Sequence, residues 1–291
     1  MPILYIILSI CFSVSVSVLL KLARRYQIDI FQAITWNYSM AIVLTWIFLR
    51  PRLEIVHSSP YYVYTLLGLL LPALFVVVAI SVSSNGIIRT EIAQRLSLFI
   101  PVVSAFLFFG EQLTIVKSIG LGLCFAAIIC SVPWGKQRSP NSAKTANAWM
   151  YLPVVFVGMG IIDILLKKMS AFKGTSYTSS LLLVFILAFL LSLINLFYRF
   201  GSKKSKFSWP HIVFGWILGV ANFGNIFFYM KALGSLSDTP SLVFSINDIG
   251  IILLGSFVGI TLFKEKLSMV NKVGIGLALA AIVVFYFFPS F

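Results

Sequence analysis

The sequence is poor in charged and metal-binding side chains. Asp, Glu, Lys and Arg together make up 10% of the 291 residues, and there are two histidines and three cysteines. The cysteines form no CxxC pair, and neither HExxH nor GxSxG occurs. These absences give no indication of a zinc site, a disulfide framework or a catalytic centre of these types. We therefore expect a protein that is not an enzyme and that has no metal site or cofactor.

Long polar stretches are also scarce, and apolar residues replace them. The chain is 60% hydrophobic with a mean hydropathy of +1.02, which is more apolar surface than a soluble core of this length can bury. A bilayer core of about 30 Å requires about 20 apolar residues per helix. Runs of this kind occupy residues 3–22, 30–49, 62–82, 86–109, 114–132, 150–169, 177–198, 210–231, 236–262 and 268–288. They predict an all-α, polytopic membrane protein of about ten transmembrane helices.

Acidic residues are much rarer than basic ones, which gives a net charge of +14. The basic residues are scattered among the breaks between runs, a distribution typical of lipid-headgroup anchoring rather than of nucleic-acid binding. Breaks after odd-numbered runs carry 13 Lys and Arg residues, and breaks after even-numbered runs carry seven. The positive-inside rule applied to this modest imbalance would place both termini outside.

An internal repeat organises the chain. Residues 111–128 align without gaps on residues 265–282, with nine of 18 positions identical. A weaker similarity joins the ends of the first and sixth runs, at Lys21 and Lys167. The chain is thus predicted to consist of a first five-helix repeat (1–132), a hydrophilic linker (133–149) and a second five-helix repeat (150–291).

The number of helices in each repeat sets the relative orientation of the halves. Because five is odd, the second half enters the membrane from the opposite side, which makes the halves an inverted repeat. Such halves can exchange conformations and open a central cavity to one side and then to the other. This geometry favours a carrier of a small metabolite that works by alternating access.

The sequence resembles the drug/metabolite transporter superfamily, in particular its EamA-type members, over essentially its whole length. The matching features are Lys21 and Lys167, Pro101 inside the fourth run, and the short breaks at residues 110–113 and 264–267. The resemblance implies ten spans in two repeats, a location in the inner membrane, and transport, frequently efflux, of amino acids or other metabolites.

Two positions depart from the family pattern. The first run has Cys11-Phe12-Ser13 where Trp-Gly is frequent, and the second has Asn37 near the usual position of an arginine. The first run also lacks the embedded glutamate that couples protons in the small multidrug relatives, so that mechanism does not carry over.

Charged and amide side chains inside the runs are the candidate substrate site, because they are costly at membrane depth and usually face a cavity or a partner. Arg95 lies about 13 Å along its helix from Gly86. The 154-residue repeat offset places Asp248, which follows Asn247, opposite Gln94. We predict that these residues converge between the halves, where Arg95 binds a carboxylate and Asp248 an amine, as suits an amino acid.

Two further asparagines, Asn222 and Asn225, lie one turn apart in the eighth run. They either line the same cavity or bond to a neighbouring helix.

A second group of residues is predicted to serve coupling or gating. Glu91 lies one turn from Arg95, and the pair can instead form an internal ion pair that leaves substrate recognition elsewhere. Asp163 either pairs with Lys167 four residues later or takes part in proton coupling. Lys21 ends the first run, and Pro101 is expected to kink the fourth run.

The expected partners are the lipid bilayer, a small-molecule substrate and a coupling proton. A non-transporting membrane scaffold or receptor component is the alternative, because helix packing alone can preserve a repeat. A channel is disfavoured, because it needs an open polar pore whereas the runs are mostly apolar.

Overall fold

The structure, a computed structural model, describes residues 2–51, 60–85, 87–112, 114–131, 148–172, 177–203, 205–263 and 268–287. Within these residues the chain is all-helical and contains no strand. The α-helices of this part of the chain are α1 Pro2–Arg25, α2 Ile30–Leu44, α3 Tyr61–Asn85, α4 Ile87–Leu96, α5 Phe99–Leu107, α6 Ile115–Ser131, α7 Tyr151–Ala171, α8 Tyr177–Gly201, α9 Trp209–Ser235, α10 Pro240–Phe263 and α11 Met269–Phe287.

Six helical segments are long and apolar enough to cross a membrane. They are Pro2–Ala23, Ile30–Leu49, Tyr61–Val78, Tyr177–Gly201, Trp209–Ser235 and Pro240–Leu262. The second of these includes a π-helical turn, Thr45–Leu49, that continues α2. These segments are consistent with a multi-pass membrane protein.

The other predicted runs also coincide with helices, but these helices are shorter or more polar. The shorter apolar segments are Ala93–Leu107, Ile115–Cys130 and Met269–Phe285. The helix α7 is 21 residues long and carries Asp163, Lys167 and Lys168. The count of ten spans therefore stays a prediction.

The fourth run is interrupted in the structure, as its proline predicts. The helix α4 ends at Leu96, and α5 begins at Phe99. Pro101 has no amide hydrogen to bond the carbonyl of Ser97, four residues earlier, so the helical ladder is not continuous there. The interruption thus lies on the amino-terminal side of Pro101, one turn before it.

Contacts between helix termini define the two ends of the helical bundle. At the end formed by the α1–α2 turn, the guanidinium of Arg199 stacks 3.5 Å from the ring centre of Phe31. At the same end, Gln32 donates a hydrogen bond to the Lys206 carbonyl at 2.7 Å. We call this the α1–α2 end. It joins the start of α2 to the end of α8.

At the opposite end, Lys168 donates a hydrogen bond to the Tyr62 hydroxyl at 3.4 Å. The Lys167 ammonium donates to the carbonyl of Ser237, in the turn between α9 and α10, at 2.8 Å. We call this the α9–α10 end.

The helices of the two predicted halves pack against each other throughout the bundle. The helix α9 lies against α1 and α2, and α3 lies against α7 and α8. The helix α10 contacts α1, while α4 and α5 contact α7; α6 pairs with α11, and α2 with α8. One hydrophobic cluster includes Tyr38 and Tyr64 from the first half together with Phe185 and Phe244 from the second. The halves therefore share a core.

Glycines allow the closest of these approaches. A Cβ atom on Gly219 of α9 would lie 2.6 Å from the Asn37 carbonyl oxygen of α2, and one on Gly68 of α3 would lie 2.5 Å from Leu187 of α8. Small residues at such crossings let membrane helices gain van der Waals contact without a steric clash.

Candidate functional site

Three helices bring amide and hydroxyl groups together inside the bundle. The Ser9 hydroxyl of α1 lies 3.0 Å from the Asn225 side-chain oxygen of α9 and 3.1 Å from the Asn247 side-chain oxygen of α10. It also lies 3.4 Å from the Asn225 carbonyl oxygen. Because a hydroxyl has one hydrogen, it can donate to one of these oxygens at a time. The others can accept a hydrogen bond from a ligand or from a reoriented amide.

Two carboxylates lie close to this group. Asp163 of α7 accepts a hydrogen bond from the Tyr229 hydroxyl of α9 at 3.2 Å. Asp163 also interacts electrostatically with Asp248 of α10. The predicted intrahelical ion pair between Asp163 and Lys167 is not formed, because the Lys167 ammonium bonds to backbone carbonyls. We call Ser9, Asn225, Tyr229, Asn247, Asp163 and Asp248 the central polar cluster.

Arg95 supplies a positive charge next to these residues, and we include it in the central polar cluster. It lies in the last turn of α4, just before the helix break, and its electrostatic attraction acts on Asp248. No hydrogen bond or ion pair joins Arg95 to another described side chain. The side chain of Glu91, its predicted intrahelical partner, lies outside the described residues. Arg95 therefore lies near enough to attract Asp248, and no direct bond between the two is found in the described part of the chain. Their convergence on a substrate site stays a prediction.

The amides of the predicted site have different surroundings. Asn222, one turn before Asn225, is buried, and its amide nitrogen has no hydrogen-bond partner in the described part of the chain. A buried, unpaired amide is costly and can be satisfied by a ligand. Gln94 is half-buried, and its carbonyl accepts a hydrogen bond from Ser97 at the helix break. No contact joins the Gln94 side chain to the central polar cluster.

A second set of polar contacts closes the α9–α10 end. Glu111 forms an ion pair with Lys117 at 3.1 Å, and the two side chains are 1% and 9% exposed. The Glu111 carboxylate also accepts a hydrogen bond from the Ser241 backbone N–H at 3.0 Å and one from the Ser241 hydroxyl. It thereby caps the first turn of α10, where the helix dipole favours a negative charge.

The backbone turn at Gly110 supports this position of Glu111. Gly110 has a φ of 68°, which a residue with a side chain rarely adopts. This conformation turns the chain between α5 and Glu111.

Lys167 reaches the same end of the bundle from α7. It is 2% exposed, and its ammonium donates hydrogen bonds to the carbonyls of Leu233 at 3.3 Å and Ser237 at 2.8 Å. The same ammonium lies 5.9 Å from the ring centre of Phe109, in the first half of the chain. We call Glu111, Lys117, Lys167 and Ser241 the terminal cluster.

A cavity of about 330 Å³ lies apart from both clusters, between α2, α3 and α8. None of the predicted site residues lines it. The chemistry of the predicted site thus rests on the polar side chains themselves and not on this cavity.

Comparison with known proteins gives a relationship over nearly the whole chain. No protein-family model matches the sequence. A protein of Haemophilus influenzae, described as an uncharacterized protein, is 39% identical over 289 residues, which is 97% of each chain. The chain belongs to the same family as this Haemophilus protein. Because the match spans both predicted repeats, the family shares the whole arrangement and not one half of it.

The fold of this family has also been seen in a solved structure. A chain described as "Crystal structure of protein" matches with a TM-score of 0.76, covering 98% of this chain and 96% of that chain at 11% identity. A likeness at this level of identity shows a common fold alone.

Several residues of the central polar cluster and the terminal cluster could not be predicted from the sequence. Ser9 belongs with Ser13 and Ser17 to a stripe of serines, a pattern typical of close helix packing, and Tyr229 carries no signal because buried tyrosines are common. Glu111 belonged to the repeated segment, but nothing in its sequence position indicated a bond to Ser241 of the other half. Lys21 lies at the α1–α2 end, about 18 Å along α1 from Ser9, and is not part of the central polar cluster.

Proposed function

We propose that this protein is a ten-span secondary transporter of the EamA type, which carries a small metabolite across the inner membrane by alternating access. The packing pattern of the helices is the observation that supports this best. If α1, α2, α3, α4–α5 and α6 correspond in order to α7, α8, α9, α10 and α11, the main contacts between the halves have counterparts. The contact of α6 with α10 is the exception among the described residues, since α11 makes no contact of similar size with α4 or α5.

The contacts can be compared pair by pair. Exchanging the two halves turns the contacts α1–α9 and α2–α9 into α7–α3 and α8–α3, and all four contacts are present. The same exchange turns the pair α1–α10 into contacts of α7 with α4 and α5, which also occur. The pairs α2–α8 and α6–α11 are unchanged by the exchange, and both are in contact. This is the pattern expected of two repeats related by a twofold axis.

The positions of the helix ends support additional membrane crossings between α3 and α8. The start of α2 and the end of α8 meet at the α1–α2 end. The helices α2 and α3 cross in opposite directions, so α3 finishes at the α1–α2 end. Because α8 also finishes there, it must start at the α9–α10 end. Residues 86–176 must therefore cross the membrane an odd number of times. Crossings by α4–α5, α6 and α7 satisfy this condition, and a six-span arrangement without them does not.

The central polar cluster lies between the proposed halves, where such carriers bind substrate. Ser9 and Arg95 come from the first half, and Asn225, Asp163 and Asp248 come from the second. Arg95 can bind a carboxylate, while either aspartate can bind an amine. The substrate this arrangement fits best is a zwitterion such as an amino acid, and an unoccupied aspartate can carry a coupling proton.

The terminal cluster supports the conformational part of the proposal. Glu111 of the first half caps α10 of the second, so this bond must break if the halves separate at the α9–α10 end. The repeat aligns Glu265 with Glu111, but Asn271 with Lys117. The two copies of the repeated segment therefore differ in charge, and residues 264–267 lie outside the described part of the chain.

The test is solute flux through the purified protein in liposomes, together with single substitutions in the central polar cluster. Arg95→Gln and Asp248→Asn should each lower the transport efficiency by about tenfold or more, since each removes a charge-assisted contact to the substrate. Arg25→Gln is the matched control, because it removes an exposed positive charge at a helix end.

Two outcomes separate the possible failures. Near-normal flux in both cluster variants would contradict the proposed site while leaving the carrier intact. No flux of any tested metabolite through folded wild-type protein would favour the non-transporting scaffold instead.

A further inference from the structure

The cavity between α2, α3 and α8 has the chemistry of a lipid-binding groove. Its walls are mostly apolar and include Phe31 of α2, Leu69 and Pro72 of α3, and Leu191 of α8. Leu69 is 51% exposed and Leu191 is 38% exposed. The groove is therefore continuous with the apolar outer surfaces of α3 and α8, which face the hydrocarbon in a membrane-spanning chain.

At the α1–α2 end of this groove lies a cation that forms no ion pair with a described carboxylate. The guanidinium of Arg199 stacks at 3.5 Å on Phe31, which itself lines the groove. The Arg199 Nε atom is buried without a hydrogen-bond partner in the described part of the chain. The nearby carboxylate of Asp29 is already used, because it accepts hydrogen bonds from the Phe31 backbone N–H at 2.9 Å and from Ser205.

A polar side chain lies between the cation and the apolar walls of the groove. Asn195 lines the groove from α8, and its amide is exposed. It lies one helical turn before Arg199, which is about 6 Å along the axis. The hydroxyls of Thr35 and Ser192, also in the wall, are occupied by bonds to backbone carbonyls of Phe31 and Ala188. The Asn195 amide is thus the group in this wall with donors to spare.

We propose that this groove binds an anionic phospholipid, with one acyl chain along Leu69 and Leu191, an ester carbonyl at Asn195 and the phosphate at Arg199. The order apolar groove, amide, guanidinium matches the order acyl chain, ester, phosphate in the lipid. The exposed Lys203 and Lys206 make this end of the groove positive, which suits an anionic headgroup. The site is separate from the central polar cluster and does not depend on transport.

The test is the thermal stability of the delipidated, detergent-purified protein, titrated with dioleoyl phosphatidylglycerol, dioleoyl phosphatidylcholine or soluble glycerol 3-phosphate. Phosphatidylglycerol should raise the unfolding midpoint at the lowest concentration, and glycerol 3-phosphate should have no effect, because it lacks acyl chains. Arg199→Gln should weaken the phosphatidylglycerol effect about fivefold, whereas Arg199→Lys and Arg25→Gln should retain most of it.

A substitution that fills the groove tests the acyl-chain contact. Ala73→Phe, at an exposed position of the groove wall in α3, should weaken the effect of both phospholipids. Ala280→Phe, at an exposed position of α11, is the matched control and should change neither. Equal losses in Arg199→Gln and Arg25→Gln would indicate diffuse charge attraction and overturn the proposal, as would an unchanged lipid effect in folded Ala73→Phe protein.

Discussion

Charged side chains inside apolar helices need partners, and the residues of the two clusters obtain them in different ways. In the terminal cluster the charges are neutralised directly, since Glu111 contacts Lys117 and the first turn of α10. In the central polar cluster they are not, since Arg95 attracts Asp248 without a direct bond. A satisfied ion pair stabilises one arrangement of helices, whereas partly satisfied charges leave room for a ligand.

The terminal cluster gives a prediction about stability. Glu111→Gln removes one partner of a buried ion pair and weakens the α10 cap, which should cost about 3–5 kcal/mol. We expect a clear fall in the thermal unfolding midpoint of the detergent-purified protein. Asp238→Asn, at an exposed turn residue, is the control and should leave the midpoint nearly unchanged. Equal midpoints for the two variants would contradict a structural role for Glu111.

At the residue scale, the sequence indicates the depth of a side chain along its helix but not the direction in which the side chain points. The sequence predicts that Arg95 and Asp248 face a common cavity, because both lie far inside apolar runs. An electrostatic attraction of Arg95 on Asp248 is found, and the shared substrate site stays a prediction. The alternative pairing of Asp163 with Lys167 is wrong because Lys167 reaches across to backbone carbonyls of α9 and of the α9–α10 turn. Side-chain direction of this kind depends on tertiary packing, which spacing in a single helix does not encode.

At the scale of helices, the break between α4 and α5 separates Arg95 from Pro101. We expect the break to let the two segments move independently during the transport cycle. Pro101→Ala would restore an amide N–H that can bond the Ser97 carbonyl and make one continuous helix more favourable.

We therefore expect Pro101→Ala to lower the transport rate in liposomes several-fold without lowering the thermal unfolding midpoint. Pro72→Ala is the matched control, because α3 runs through Pro72 without a break. If the two variants transport at the same rate, the break has no role in the transport cycle.

Close helix crossings give a second prediction at this scale. Gly219→Ala places a methyl group 2.6 Å from a backbone oxygen of α2, so the helices must separate, at a cost of about 1–3 kcal/mol. The thermal unfolding midpoint should fall. Gly122→Ala, where a Cβ meets no atom within 4 Å, should leave the midpoint unchanged or raise it slightly. A fall of the same size in Gly122→Ala would exclude steric contact as the cause.

Helix positions were largely predictable because continuous apolar runs and polar breaks are strong local signals. The run at residues 177–198 corresponds to α8, and the run at 210–231 corresponds to α9. The exact site of the helix break was less predictable, since a proline affects the carbonyl one turn earlier and the neighbouring packing decides where the chain bends. The predicted linker at 133–149 lies largely outside the described residues.

At the scale of the whole molecule, a ten-span and a six-span arrangement place the same loops on different sides of the membrane. With ten spans, Gln27 and Gln112 lie on opposite sides of the membrane, and Gln27 and Ser202 lie on the same side. With the six long helices alone, Gln27 and Gln112 share a side. Single cysteines at these exposed positions, in a background without native cysteines, can be labelled with a membrane-impermeant maleimide in intact cells and in lysed cells.

We expect the cysteines at positions 27 and 202 to be protected together and the cysteine at position 112 to react in intact cells. Labelling of all three in lysed cells controls for accessibility. Protection of position 112 together with position 27 would contradict the ten-span arrangement and, with it, the inverted repeat.

The central claim is that the chain carries a zwitterionic metabolite through a site that includes Arg95 and Asp248. Its most direct test is counterflow in liposomes: vesicles containing the purified protein are loaded with an unlabelled amino-acid mixture, and the entry of each labelled amino acid is measured. The account predicts transient accumulation of at least one amino acid by wild-type protein, with a loss of about tenfold or more in Arg95→Gln and Asp248→Asn but not in Arg25→Gln. Wild-type vesicles that accumulate no more label than protein-free vesicles for every amino acid would contradict it.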